Sequence, residues 1–141
     1  MEIIYLSVEQ VIEMHSEAIR RFGGTDGLRS VDLLESAVFQ PQQSAFGEDA
    51  YPTIPDKAAA YGFFIAENQA FLDGNKRAAA DCMLAFLYIN GYETDLSDDE
   101  LSAGFISLGV KEMTKEQFFV WLTGHVIESP PDDDLTNEDA I

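Results

Sequence analysis

Apolar and polar positions alternate along this chain with the period of an α-helix. Val8, Val11, Ile12, His15, Ala18, Ile19 and Phe22 fall on one face, which predicts an amphipathic helix. Ser7 with Gln10 supplies a capping box at its start. Gly23 and Gly24 end it, because glycine accepts the left-handed conformation common past a helix C-terminus. Ahead of it, Glu2 to Leu6 reads as a short extended piece. Ser30 caps a second helix, VDLLESAVF, which stops before Pro41 because the residue preceding a proline is pushed out of helical backbone. Residues 40–53 carry Pro41, Gly47 and Pro52 and no period. Pro55 suits the first turn of a third helix through KAAAYGFFIAEN. A fourth runs from about Asn75 to Asn90 and closes with Gly91. Ser97 with Glu100 opens a fifth, and Thr114 with Gln117 a sixth.

Strand signals are weak throughout. The pattern therefore predicts an all-α domain of about six helices over residues 1–127, with no internal repeat and no inner boundary. From Glu128 the sequence changes character to ESPPDDDLTNEDAI, with two prolines, six acids and almost no bulky apolar residue. This predicts a disordered acidic tail over residues 128–141.

Composition adds limits. The 141 residues are 46% apolar and include ten Phe, five Tyr and one Trp, enough to bury a core. Twenty-six acids against eight bases give a formal charge of −18, whose field repels nucleic acid and anionic membrane surfaces. Cys82 is the single cysteine, so no intramolecular disulfide exists, and it reads as a small core residue on the fourth helix. No stretch approaches the roughly 20 apolar residues needed to cross a bilayer. The opening MEIIYLSVEQ also lacks the basic and apolar regions of a cleavable signal. The expectation is a cytoplasmic protein without nucleic-acid or membrane partners.

One stretch breaks the local rules. In QAFLDGNKR, Lys76 and Arg77 stand together at the start of the fourth helix, where the unpaired N–H groups and the macrodipole already present positive charge. Two readings fit the spacing. Asp73 and Asn75 could be ordinary caps, Gly74 a turn residue and the cations solvated. Alternatively, exposed N–H groups, a glycine that admits a ligand and two adjacent cations form an anion site suited to phosphate. In that reading Asp73 supplies a carboxylate of the kind that holds Mg²⁺ together with substrate phosphates, and Asn75 donates to a phosphate oxygen or caps the helix.

The stretch resembles the Fic/Doc family, in particular the death-on-curing branch with its pattern HxFxDGNKR. The likeness extends to FGGTDGLRSVDLLESAVFQPQ and YPTIPDKAAAYGFFIAENQAFLDGNKR and covers roughly residues 3 to 126. The resemblance implies an α-helical fold whose motif loop binds the phosphates of ATP or another nucleoside triphosphate with Mg²⁺. It implies transfer of a phosphoryl group, rather than AMP, to a Ser, Thr or Tyr hydroxyl of a target protein. Lys76 marks the phosphoryl-transfer branch, since it stands where AMP-transferring members have a second glycine. By the same carry-over Phe71 anchors the loop, Asp73 holds the metal, and Gly74, Asn75, Lys76 and Arg77 meet the phosphates. A small antitoxin is the implied partner.

The chain departs from the pattern at one chemical position. Gln69 stands where the family has its catalytic histidine. A general base must titrate within reach of neutral pH, and an amide does not. Ala70 and Ala78 also replace residues common in relatives, Pro and Thr, so the site reads as naturally degenerate. Glu67 reads as facing solvent at the end of the preceding helix, His15 as a core histidine, and His125 as a cation near the end of the last helix.

Overall fold

Among the described residues, five of the six α-helices begin on a hydroxyl side chain that accepts a hydrogen bond from a first-turn N–H. In the computed structural model, which describes residues 2–130, these are α1 (Val8–Phe22) on Ser7, α2 (Val31–Phe39) on Ser30 and α3 (Ile54–Asn68) on Thr53. α5 (Asp98–Gly109) starts on Ser97 and α6 (Lys115–Thr123) on Thr114. The full capping box predicted from sequence is present at α1, α5 and α6. Only α4 (Asn75–Ile89) starts differently, on Gly74 in left-handed backbone with no side-chain cap.

α3 and α4 form the central pair, with α1 against α4 and with α2 and α6 against α3. The buried face of α3 is Ala58, Ala59, Ala60, Tyr61, Gly62 and Ile65, and small residues let α4 approach closely. A Cβ on Gly62 would come within 2.8 Å of Met83 Sδ. From α4, Ala78, Ala79, Cys82, Met83, Phe86 and Leu87 complete the core. Burial of each large side chain among these contributes about 1.5–3 kcal/mol. Tyr61 is fully buried, and its hydroxyl accepts the Leu6 N–H at 2.9 Å, which ties the N-terminal segment to the core.

Among the described residues, four short strands escaped the sequence pattern. β1 (Ser44–Ala45) and β2 (Glu48–Asp49) form a hairpin closed by Phe46 and Gly47, both at positive φ. β3 (Tyr92–Thr94) pairs with β4 (Val126–Glu128). Runs of two or three residues are too short to show a period of two. β4 also corrects the start of the tail: Glu128 lies opposite Tyr92, and the Ser129 N–H donates to the Gly91 carbonyl at 2.9 Å. The rest of the predicted tail, residues 131–141, lies outside the described residues. Among the described residues no helix is long and apolar enough to cross a membrane.

Candidate functional site

Between α3 and α4 the chain makes a loop held from several sides. Gln69 ends α3 in left-handed backbone, φ 49° and ψ 50°. Its carbonyl accepts from Arg29 Nε at 3.0 Å and from a terminal nitrogen of the same guanidinium. The Arg29 and Ser30 N–H groups donate to the Ala70 carbonyl at 2.7 and 3.0 Å, and the Leu72 N–H donates to Gly27. Gly24 and Gly27 allow this strap to lie close. A Cβ on Gly24 would come within 2.7 Å of Asp73 Oδ2, and one on Gly27 within 2.7 Å of Leu72.

Phe71 is buried and stacks on the equally buried His15, with ring centroids 3.7 Å apart and planes within 5°. His15 Nε2 lies 2.6 Å from the Asp73 carbonyl oxygen, so its N–H donates to that oxygen. The other ring nitrogen lies 3.5 Å from Asp26 Oδ1. The Asp73 carboxylate is itself oriented: Oδ1 accepts from the Gly74 N–H at 2.9 Å and Oδ2 from the Thr25 N–H at 3.2 Å. It remains solvent-exposed, with lone pairs to spare for a cation. The Asn75 amide is committed elsewhere, accepting from the Phe71 N–H and donating to the Phe71 carbonyl, both at 3.0 Å. What Asn75 can offer a ligand is its backbone N–H.

The loop opens onto a cleft of about 460 Å³ lined by Glu67, Gln69, Asp73, Gly74, Lys76, Arg77 and Lys111, among others. That volume lies within the range of small-molecule sites. The first turn of α4 contains no acidic residue, and its N–H groups have no side-chain cap. Lys57, Lys111 and Lys115 each have an oxygen partner, whereas Lys76 has none among the described residues. The Lys76 stem runs over Gly109 of α5, where a Cβ would come within 2.7 Å of its Cε. The Arg77 guanidinium lies 3.8 Å from the centroid of the Phe22 ring, and its Nε is 3.8 Å from Asp81. Burial raises the Asp81 carboxyl above the usual carboxylate range, against the opposing pull of Arg77 and Arg21.

A family model described as Fic/DOC family matches residues 5–87, more than half of the chain. Over 89 residues the chain is 45% identical to "Toxin Doc" of Mycolicibacterium smegmatis, covering 63% of this chain and 66% of that protein. Over 92 residues it is 32% identical to "Protein kinase doc" of Escherichia phage P1, covering 63% of this chain and 70% of the relative. The chain belongs to the Fic/DOC family.

Within this Fic/DOC domain, Gln69, Asp73, Gly74, Asn75, Lys76 and Arg77 line one cleft, while Phe71 and the Asn75 side-chain amide hold the loop in shape. Three participants were not legible as such. His15 is the core residue its position predicted, yet it also grips the loop carbonyl of Asp73. Arg29 grips the C-terminus of α3, where cations are favourable. Glu67 does not point to open solvent as expected. It is partly shielded and pairs with Lys111 across the cleft at 3.2 Å. The glycines of FGGTDGLRS were the available signal, since three in five residues mark close backbone approach. His125 pairs with Asp95 at 2.8 Å on the surface and has no part in this cleft.

Proposed function

We propose that this Fic/DOC chain binds ATP or another nucleoside triphosphate with Mg²⁺ and transfers its terminal phosphoryl group to a hydroxyl of a target protein, slowly. One observation carries the reading: an uncapped helix start, an unpaired Lys76 and an oriented Asp73 carboxylate converge on one cleft. Among the described residues no cluster of three His, Cys, Asp or Glu could hold a metal alone. A single carboxylate fits Mg²⁺ that shares its ligands with phosphates, and Asp73 would hold it. When bound, Mg²⁺ neutralises phosphate charge and fixes phosphate geometry.

The protein's own groups do the rest. The N–H groups of Asn75, Lys76 and Arg77 and the Lys76 ammonium stabilise the charge of the transferring group. The attacking hydroxyl oxygen forms a bond to the terminal phosphorus as the bond to the leaving nucleoside diphosphate breaks, and the hydroxyl proton passes to solvent water. Gln69 can orient the hydroxyl by accepting its hydrogen bond, but cannot carry the proton away. Loss of general-base help lowers the rate by about 10² to 10⁴, or roughly 3–5 kcal/mol of barrier. Phosphoryl transfer depends mainly on positioning and charge, so residual turnover is consistent with the site. The same Gln69 favours a second reading, a catalytically silent module that keeps nucleotide or antitoxin binding. The proposed setting is the cytoplasm, with a small antitoxin and a protein substrate as partners.

Calorimetry with ATP and Mg²⁺ should show binding that weakens about tenfold or more in Lys76→Ala, the loss of one charged phosphate contact. Labelled ATP incubated with candidate proteins should then give faint transfer that Gln69→His raises and Asp73→Ala abolishes. Left-handed backbone is tolerated by His better than by most residues, so Gln69→His fits position 69. Binding without transfer, even in Gln69→His, would leave the silent module. Absence of nucleotide binding would remove the phosphotransferase and leave antitoxin binding as the module's role.

A further inference from the structure

Resting on that reading of the cleft, we propose that Lys111 is a third phosphate-binding cation, held in readiness by Glu67 until a polyphosphate displaces the carboxylate. Lys111 sits where α5 ends. Its N–H donates to the Leu108 carbonyl at 3.2 Å, and the Glu112 N–H donates to Ser107 at 2.9 Å. This is the Schellman arrangement, whose left-handed position usually takes glycine or asparagine. Here a lysine occupies it at φ 66°. A side chain kept in such backbone is a local cost, and residues of this kind concentrate at functional sites.

The ion pair does not account for the lysine. Nζ lies 3.2 Å from both Glu67 oxygens, but the lysine side chain is 74% exposed, and exposed pairs contribute little to stability. What the pair does is place an ammonium on the wall of the cleft shared with Gly74 and Lys76. Lys76, Arg77 and Lys111 put three of the chain's eight bases around one hollow in a molecule of net charge −18. Such a field repels polyphosphate everywhere else. Exchange of partners needs no rebuilding, because a phosphate oxygen takes the place of a carboxylate oxygen on the same ammonium. Glu67, on the last turn of α3, is released.

The test is calorimetry of the full chain with ATP and Mg²⁺ and, separately, with inorganic tripolyphosphate and Mg²⁺. Lys111→Gly removes the ammonium and suits the backbone, so its fold is secure. It should weaken both ligands about fivefold, as expected for one partly exposed charge contact. Glu67→Gln should tighten both by a similar factor, because it frees the ammonium and removes a carboxylate from the cleft wall. Wild-type affinity in Lys111→Gly, or no tightening in Glu67→Gln, overturns the assignment. Lys76→Ala separates the two levels. Binding that depends on Lys76 but not on Lys111 strikes this inference alone, whereas a wild-type chain that binds neither ligand, or binds regardless of Lys76, removes the phosphate cleft and Lys111 with it.

Discussion

His15 shows how one buried side chain can serve both the core and the candidate site. Its ring is 1% exposed, stacks on Phe71 and donates to the Asp73 carbonyl. Truncation removes the stack and leaves that carbonyl without its donor. His15→Ala should therefore destabilise the fold by about 2–4 kcal/mol, combining a cavity with a lost hydrogen bond. Urea denaturation measures it, and a loss under about 1 kcal/mol would mean that the loop holds its shape without the histidine. Gln69 is the opposite case. Its side chain is exposed and its backbone, gripped by Arg29, does the structural part, so replacement there changes chemistry more than stability.

At the scale of the element, α4 departs from its five neighbours. Those five start on Ser or Thr caps worth about 1 kcal/mol each. α4 starts on Gly74 at φ 75°, so its first N–H groups stay free for a ligand. Glycine suits the left-handed backbone, and a Cβ would also come within 3.0 Å of Ile19 Cδ1, which would have to give slightly. Gly74→Ala should cost about 1–2 kcal/mol from the backbone, with more from the crowding. A thermal melt checks this, and an unchanged midpoint would show that the loop can re-form around a side chain. The remaining elements were readable because their signals are local. A cap and its partner lie three residues apart, and an apolar face repeats within one or two turns. The paired strands were not readable, because β3 and β4 meet only after α5 and α6 return the chain.

At the scale of the whole molecule, the core sets the response to alkali. Burial pushes the Cys82 thiol up to about 12 from 9.0, and burial likewise raises the Tyr61 phenol above its usual range. The sign follows from linkage. Below the ordinary thiol pKa both states hold the proton and stability is full, whereas above it the unfolded chain ionises and the folded one does not. Stability should fall between pH 9.0 and about 12, by up to about 1.4 kcal/mol per pH unit for one group. Chemical denaturation across that range, compared with Cys82→Ala, isolates the thiol. A variant that loses stability as steeply as wild type would assign the effect to other groups. The same burial keeps the thiol poorly reactive. The sequence by itself determined the helices, their caps, the acidic balance and the loop that breaks the capping rule, since each is written within a few neighbouring residues. Only the tertiary structure decided that His15 meets Asp73, that Arg29 holds Gln69 and that Lys111 reaches Glu67, contacts spanning 58, 40 and 44 residues. Those depend on how closely α3 and α4 pack, and that distance is set by small residues facing each other across the core, which no local pattern records.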